Sequence, residues 1–364
     1  MVQVKRRKAK IIKIGPVNIG GDHPIAIQSM LKVKSADVQA AIRQINELEK
    51  DGCEIIRLAV KDDADALAFK KIRPKVNIPL VADIHFDYRL ALKAADSGAD
   101  KIRLNPGNIY KKQEVKQVVS AAKANHIPIR VGLNSGSVVK KGKLKASAHL
   151  DIAGLMAREA LAYIGIIEKS GFSDIVISLK ASDIQDTLKA YRKISKSCGY
   201  PLHLGVTASG TPRLGAVKSS IGIGALLLEG IGDTIRVSLT AHPKEEVGLA
   251  KAILEVLGLR HFGPEIISCP TCGRCEVDLA GLVYSLEKKL SAIGYRPSAH
   301  PIKLAVMGCV VNGPGEARQA DIGIAFGKKE GLLFKKGRPY KKAAYADCQD
   351  LLLKEFKKCI GQGH

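Results

Sequence analysis

Asp51-Gly52-Cys53-Glu54-Ile55-Ile56-Arg57-Leu58-Ala59-Val60-Lys61-Asp62 holds one complete joint of the plan on which most of this chain is built. A helical stretch, residues 35–51, stops at Asp51-Gly52. An apolar, β-branched run follows at 54–60, and a second helical stretch starts at Asp62. Glycine just past a helix permits the left-handed turn that ends it, and Asp is a good helix start. A strand that is apolar on both sides is buried on both faces, as in a parallel sheet covered by helices.

The same joint recurs outward in both directions. Strand-like runs occupy residues 26–30, 54–60, 79–84, 101–106, 128–134, 174–180, 202–208 and 234–240. Helical stretches follow them at 35–51, 62–71, 88–97, 113–125, 151–170, 183–197, 212–229 and 243–257. Ser97-Gly98 and Ser170-Gly171 repeat the glycine stop. Eight near-regular units predict an α/β fold closed into a (β/α)8, TIM-like barrel, with an open doubly wound sheet as the alternative. Ahead of the barrel, two short apolar runs around Gly15-Pro16 read as a hairpin.

Past Leu257 the rhythm stops, and residues 258–264 read as a linker. A cysteine-rich turn, a helix at 277–290, strands at 302–307, 322–326 and 331–334, and a last helix at 342–357 make a small α+β domain. The expected division is a basic arm plus barrel over 1–258 and a metal-bearing domain over 259–364.

Bulk composition narrows the classes. The chain has 364 residues, of which 46% are hydrophobic, enough for one large core and a smaller one. No apolar segment follows the basic Lys5-Arg6-Arg7-Lys8, and the longest apolar run, 221–228, is too short to span a bilayer. The expectation is a cytoplasmic protein with no membrane contact, in which clustered thiols read as metal ligands. Cys53, Cys198, Cys348 and Cys359 stand alone and read as packing or surface residues.

The net charge of +23 gathers partly between Lys5 and Lys13, Lys140 and Lys145, and Lys328 and Lys358. Such a surface attracts polyanions, phosphorylated substrates or acidic proteins. Nucleic acid is the obvious candidate, but aromatics are 4% and Trp is absent, so stacking platforms are scarce.

In a (β/α)8 barrel the active site gathers at the C-terminal ends of the strands. There the chain places Gln28, Ser29, Arg57, Asp83, His85, Arg103, Asn105, Asn108, Arg130, Asn134, Ser178, Lys180, Ser182, His203, Thr207, Arg236 and Ser238. Five are Arg or Lys in the barrel interior, where an unpaired charge is costly. Asp83, Glu54 and Asp233 are too few to balance them all, so a bound polyanion is the simpler reading, held by Arg forks and a Lys point charge. Asp83-Ile84-His85 allows an acid/base couple or metal ligands, but reads better as structural or substrate-contacting. Gly222-x-Gly224 lacks the strand–turn–helix setting of a dinucleotide site and reads as close helix packing.

Cys269-Pro270-Thr271-Cys272-Gly273-Arg274-Cys275 and, far downstream, Cys309 in Val306-Met307-Gly308-Cys309-Val310-Val311-Asn312-Gly313-Pro314-Gly315-Glu316 form a metal-ligand pattern. Inert core cysteines have no reason to cluster in a Pro/Gly turn. The spacing alone leaves zinc and iron–sulfur open.

Several stretches resemble one family. They are Val81-Ala82-Asp83-Ile84-His85-Phe86-Asp87-Tyr88-Arg89, Arg103-Leu104-Asn105-Pro106-Gly107-Asn108, Lys180-Ala181-Ser182-Asp183, Gly230-Ile231-Gly232-Asp233-Thr234-Ile235-Arg236-Val237-Ser238-Leu239, and both cysteine motifs. Together they resemble the 4-hydroxy-3-methylbut-2-enyl diphosphate synthases, iron–sulfur enzymes of the methylerythritol phosphate route to isoprenoids. The resemblance implies a [4Fe-4S] cluster held by Cys269, Cys272, Cys309 and Glu316, with Cys309 and Glu316 at the catalytic end. It implies 2-C-methyl-D-erythritol 2,4-cyclodiphosphate in the barrel mouth, and we assign its contacts to Arg57, Arg103, Asn105, Arg130, Asn134, Lys180, His203, Arg236 and Ser238. A two-electron reductive ring opening with loss of water is implied, driven by ferredoxin or flavodoxin. So is a homodimer in which one subunit's cluster domain caps the other's barrel, itself similar to dihydropteroate synthases. Two departures stand out: Thr207-Ala208-Ser209-Gly210 where the family usually carries an acid after the threonine, and Cys275 where a non-thiol is usual. The rival reading is a basic nucleic-acid-binding protein with structural zinc on Cys269, Cys272, Cys275 and Cys309.

Overall fold

The computed structural model describes residues 4–139, 151–207, 209–295, 301–311 and 313–361. The chain divides into two compact units, Met1–Arg260 and His261–His364.

The first unit opens with an antiparallel hairpin, β1 (Ile12–Ile14) and β2 (Val17–Ile19). There follow β3 (Ala26–Met30), α1 (Val38–Lys50), β4 (Ile55–Val60), α2 (Asp63–Ile72), β5 (Leu80–Ile84), α3 (Tyr88–Asp96), β6 (Lys101–Leu104), α4 (Lys112–Ala124), β7 (Ile129–Asn134) and α5 (Ser135–Val139). The unit ends with α6 (Ile152–Glu168), β8 (Ile175–Lys180), α7 (Ile184–Ser197), β9 (His203–Leu204), α8 (Pro212–Leu228), β10 (Thr234–Ile235) and α9 (Pro243–Val256). The strands pair in the order β8-β7-β6-β5-β4-β3-β10-β9, and a parallel bridge between Ile177 and Leu202 brings β8 toward β9. The result is a nearly closed eight-stranded parallel barrel, as expected.

Local chemistry places the helices. Asp37, Asp62, Asp87, Asp151 and Asp183 each accept a hydrogen bond from a first-turn N–H of the helix that follows. Ile12, Ile14 and Ile19 of the hairpin pack with Ala26, Ile55, Val81 and Val176, closing the N-terminal end of the barrel with apolar side chains. The runs expected at 202–208 and 234–240 shrink to two-residue strands. Past them, among the described residues, only isolated bonds persist, such as Arg236 N–H to Leu204 O at 3.0 Å.

The second unit holds β11 (Glu265–Ser268), α10 (Leu279–Ile293), β12 (Lys303–Met307), α11 (Gly313–Ala317), β13 (Ile322–Phe326), β14 (Glu330–Lys335), β15 (Arg338–Ala344) and α12 (Tyr345–Gly361). They form one sheet in the order β11-β12-β13-β14-β15, parallel across β11, β12 and β13 and antiparallel beyond. Alternation along β12 sorts its side chains. Leu304 and Val306 pack with Leu286, Leu290, Leu352 and Phe356 of α10 and α12, whereas Ala305 and Met307 pack with Ala317 and Phe334.

The second unit departs from expectation at β11, α11 and β15. Residues 338–344 form an edge strand, so the last helix begins at Tyr345 rather than at 342, and β11 precedes the cysteine turn. No described helix is long and apolar enough to cross a membrane.

Candidate functional site

A cavity of ≈ 220 Å³ opens at the C-terminal ends of the barrel strands. It is lined by Met30, Arg57, Asp83, His85, Arg103, Asn134, Ser178, Lys180, Val206, Thr207 and Arg236. Alternation explains the pairs Asp83/His85 and Ser178/Lys180, since every second residue points inward, whereas the adjacent Val206 and Thr207 line the cavity from past the end of β9.

Asp83 is the hub. Its Oδ1 lies 3.0 Å from Arg103 Nη1 and its Oδ2 3.7 Å from Arg57 Nε. Arg103 Nη2 also donates to Gly132 O at 2.8 Å, and Arg57 reaches the Met30 sulfur at 2.8 Å. Burial alone would raise the Asp83 carboxyl, but the guanidiniums of Arg57, Arg103 and Arg130 outweigh it and hold it well below the usual carboxylate range. Burial pushes the Arg57 guanidinium down to about 10, against the opposing pull of Asp83. On the other side, Arg236 Nη1 donates to Ser238 Oγ, and its Nη2 lies 3.4 Å from Glu246 Oε2. Glu246 on α9 is buried and also pairs with Lys32 at 3.0 Å.

Deeper in the barrel lie Lys101, Arg130 and His203, each wholly buried. Lys101 Nζ has Gln28 Oε1 at 3.5 Å, and Arg130 Nε and Nη1 have no hydrogen-bond partner. His203 Nδ1 sits 2.8 Å from Thr234 Oγ1 and its Nε2 3.3 Å from Lys180 Nζ. Burial, then repulsion from nearby cations, Arg57 among them in every case, pulls Lys101, Arg130, Lys180 and His203 well below their ordinary values. Among the described residues, the ion pairs of Arg57, Arg103, Arg130, Lys101, Lys180 and Arg236 run to two carboxylates, Asp83 and Glu246. That deficit of negative charge suits an anion of at least two charges.

Of the expected contacts, Arg57, Arg103, Asn134, Lys180 and Arg236 line the cavity. Arg130 and His203 lie deeper. Ser238 meets the cavity through Arg236, while Asn105 accepts from Gly107 N–H at 3.0 Å and shapes its own turn. Glu246 and Lys101 escaped the sequence reading. A helix residue ten positions from Arg236 carries no pairing signal, and Lys101 is the first residue of β6, at the end of the strand away from the mouth.

The other acids considered as neutralisers turn away. Glu54 pairs with Arg260 at 2.6 Å and accepts from Ile27 N–H. Asp233 pairs with Arg6 at 3.1 Å and accepts from Leu202 N–H. The basic arm is likewise tied into the fold, Arg7 donating to Cys198 O at 2.7 Å and Lys10 pairing with Asp174 at 3.0 Å. Lys140 to Lys145 and Ala208 lie outside the described residues. Gly222 meets the packing expectation, since an added Cβ would sit 3.0 Å from Val206, but Gly224 has open space.

In the second unit, β11 and β12 run side by side and parallel with Ser268 opposite Val306, so Cys269 and Cys309 both follow the C-terminal ends of these strands. Gly308 N–H donates to Cys269 Sγ at 3.4 Å. The turn is closed by Cys275 N–H to Cys272 O, and Glu276 N–H to Gly308 O, both at 2.9 Å. Cys275 packs against the α10/α12 core, its thiol donating to Val277 O at 3.3 Å. A Cβ at Gly308 would lie 2.4 Å from that sulfur, so any larger residue there would displace the Cys275 thiol. Cys272 and Glu316 are exposed, Glu316 on α11 just beyond the Cys309 loop. Among the described residues, no three His, Cys, Asp or Glu side chains converge closely enough to hold a metal ion. Even so, soft thiols following the same end of two neighbouring strands, one already receiving a backbone N–H, are donors whose chemistry fits an iron–sulfur cluster.

Comparison with known proteins agrees in both units. Residues 9–251 match the GcpE TIM-barrel domain and residues 265–358 the GcpE protein C-terminal domain. A Fusobacterium nucleatum subsp. nucleatum protein named 4-hydroxy-3-methylbut-2-en-1-yl diphosphate synthase (flavodoxin) is 52% identical over 98% of this chain and 98% of its own. A Caldanaerobacter subterraneus subsp. tengcongensis protein of the same name is 51% identical over 98% of this chain and 99% of its own. Among solved structures, Yersinia pestis dihydropteroate synthase superposes with a TM-score of 0.50 at 14% identity over 68% of this chain and 98% of that one, a likeness of fold alone. Nothing in these comparisons favours the zinc-bearing nucleic-acid reading. With both units matched and relatives about half identical from end to end, the chain belongs to the GcpE family.

Proposed function

We propose that this protein catalyses the reaction its relatives are named for. It opens 2-C-methyl-D-erythritol 2,4-cyclodiphosphate reductively and releases water, giving 4-hydroxy-3-methylbut-2-enyl diphosphate for isoprenoid synthesis. The observation that carries this reading is the barrel mouth, where buried basic side chains exceed their carboxylate partners. A diphosphate would supply the missing negative charge.

Arg57, Arg103 and Arg236 present forked donors to the phosphates, and Lys180 adds a point charge. Because Asp83 and Glu246 already orient three of these cations, little reorganisation is needed when substrate arrives. Asn134, Ser178 and Thr207 offer an amide and two hydroxyls to hold the ring in a reactive pose. Arg130 and His203 support this layer from below. Asn105 and Ser238 complete the proposed contact set by shaping the loop after β6 and steadying Arg236.

Cys269, Cys272 and Cys309, with the Glu316 carboxylate, would hold a [4Fe-4S] cluster. When bound, it supplies the two electrons and a Lewis-acidic iron. The bond from the Cys275 thiol to Val277 O supports a structural role for that thiol. Flavodoxin, printed in the relatives' names, is the proposed electron donor, with ferredoxin as its substitute, and the chain's +23 charge favours an acidic carrier. A barrel domain over 1–258, a cluster domain over 259–364, cytoplasmic location and a homodimer complete the proposal.

The test is anaerobic purification, iron and sulfide counting, and incubation of the reduced protein with the cyclic diphosphate. About four irons per chain together with the linear allylic diphosphate is the expected result. A colourless, zinc-bearing protein that leaves the cyclic diphosphate intact would refute it.

A further inference from the structure

Ring opening with dehydration has a strict balance. Two C–O bonds break with their electron pairs staying on oxygen, and the two electrons from the donor become the new C=C bond. One oxygen remains on the diphosphate. The other leaves as hydroxide and must take a proton to become water. The enzyme therefore needs an acid within reach of the departing hydroxyl.

The cavity lining offers few. Asp83 is held ionised between Arg57 and Arg103. Those two guanidiniums and that of Arg236 act as fixed cations. Asn134, Ser178 and Thr207 are poor acids. Lys180 has His203 Nε2 at 3.3 Å, and its charge is needed against the diphosphate. His203 does not line the cavity.

His85 remains. It follows β5 directly, lines the cavity, and its Nδ1 is buried without a hydrogen-bond partner. No carboxylate or carbonyl holds that nitrogen in one tautomer. Imidazole is also the side-chain type best suited to passing protons near neutral pH. The charged groups sharing its cavity are Asp83 on its own strand, Arg57 from β4, Arg103 from β6, Lys180 from β8 and Arg236 just after β10.

We propose that His85 is a catalytic residue of this enzyme, the general acid that protonates the departing hydroxyl. The inference rests on the reading that the cavity takes the cyclic diphosphate. His85 gives up one proton per turnover and regains it from solvent after water leaves.

The test compares wild type with His85→Asn and His85→Gln, all as cluster-loaded enzyme. Single-turnover rates are measured after chemical reduction, which removes electron-carrier docking from the rate. Calorimetric titration of the oxidised enzymes with the cyclic diphosphate reports binding and folding. The expected loss is about 100-fold in single-turnover rate, with affinity changed less than about threefold. Because the acid must hold its proton, the wild-type rate should fall as pH rises through its ionisation, and both variants should lack that fall. Rates within about threefold of wild type, or an unchanged alkaline fall in either variant, would assign the proton to another group. Failure of wild type to bind or convert the cyclic diphosphate would refute the functional reading itself, before any variant is made.

Discussion

Replacing Asp83 with Asn removes the carboxylate that Arg57 and Arg103 share. The three side chains are 4%, 12% and 8% exposed, so this is a buried triad and not a surface pair. Removing one partner of a buried pair costs about 3–5 kcal/mol, against about 0–1 for an exposed one. Arg103 keeps Gly132 O, and Arg57 keeps the Met30 sulfur, so the lower end applies, about 3 kcal/mol. In a unit of this size that corresponds to a fall in Tm of roughly 6–12 °C. Since the Asp83 carboxyl is held below its usual range, its contribution is present above the unfolded-state pKa, about 3.9, and is lost as pH falls toward the folded value. The gap between wild type and Asp83→Asn should therefore be full at pH 7 and narrow in acid. Scanning calorimetry with and without the cyclic diphosphate measures both effects. The ligand's negative charge should stabilise the variant more than wild type. A loss under about 1 kcal/mol at pH 7, or equal ligand stabilisation of the two proteins, would refute the idea that these cations depend on Asp83.

Lys101→Met should raise stability at neutral pH, because burial and nearby cations hold the folded amine well below its unfolded value. The gain should shrink as pH climbs toward about 10.4 and vanish above it, where the unfolded lysine also loses its proton; melting curves at pH 7 and in strong alkali decide it. Lys180→Met should weaken calorimetric binding of the cyclic diphosphate by about 30-fold or more, the scale of a lost buried charge contact. Glu316→Ala should cripple turnover and change the cluster's spectrum, whereas Cys275→Ser should leave iron content and turnover near wild type. The opposite pattern would exchange their roles.

The barrel was legible because two independent signals agree at five of its eight joints. Strands buried on both faces read as unbroken apolar runs, and five of the following helices begin at an Asp that the structure shows accepting from the first turn. Where the signals part, the reading failed. Val206 and Val237 are buried yet lie beyond the short ladders of β9 and β10, and a packed residue looks in sequence like a paired one. The reverse happened at β15, which is exposed along nearly its whole length and carries Arg338, Lys341 and Lys342. It has no apolar alternation to detect, and such charges blunt an open sheet edge. The one local signal was the Lys336-Gly337 turn, both residues at positive φ, as in a two-residue hairpin turn.

For the site, what mattered was not which acids the chain has but where along a strand each one sits. Glu54 immediately precedes β4 and Asp233 immediately precedes β10, so both start at the N-terminal end of the barrel, where Arg260 and the basic arm meet them. Asp83 is the fourth residue of β5 and reaches the mouth. Position alone, read from sequence, would have removed the first two from the tally of neutralisers. The strands would then have shown Arg57, Arg103, Arg130, Lys180 and Arg236 against Asp83 alone. Glu246 could not have been added from sequence, because a helix residue reaches into a barrel only through tertiary packing. Even with it the balance stays positive, and the interior still calls for an anion from outside the chain.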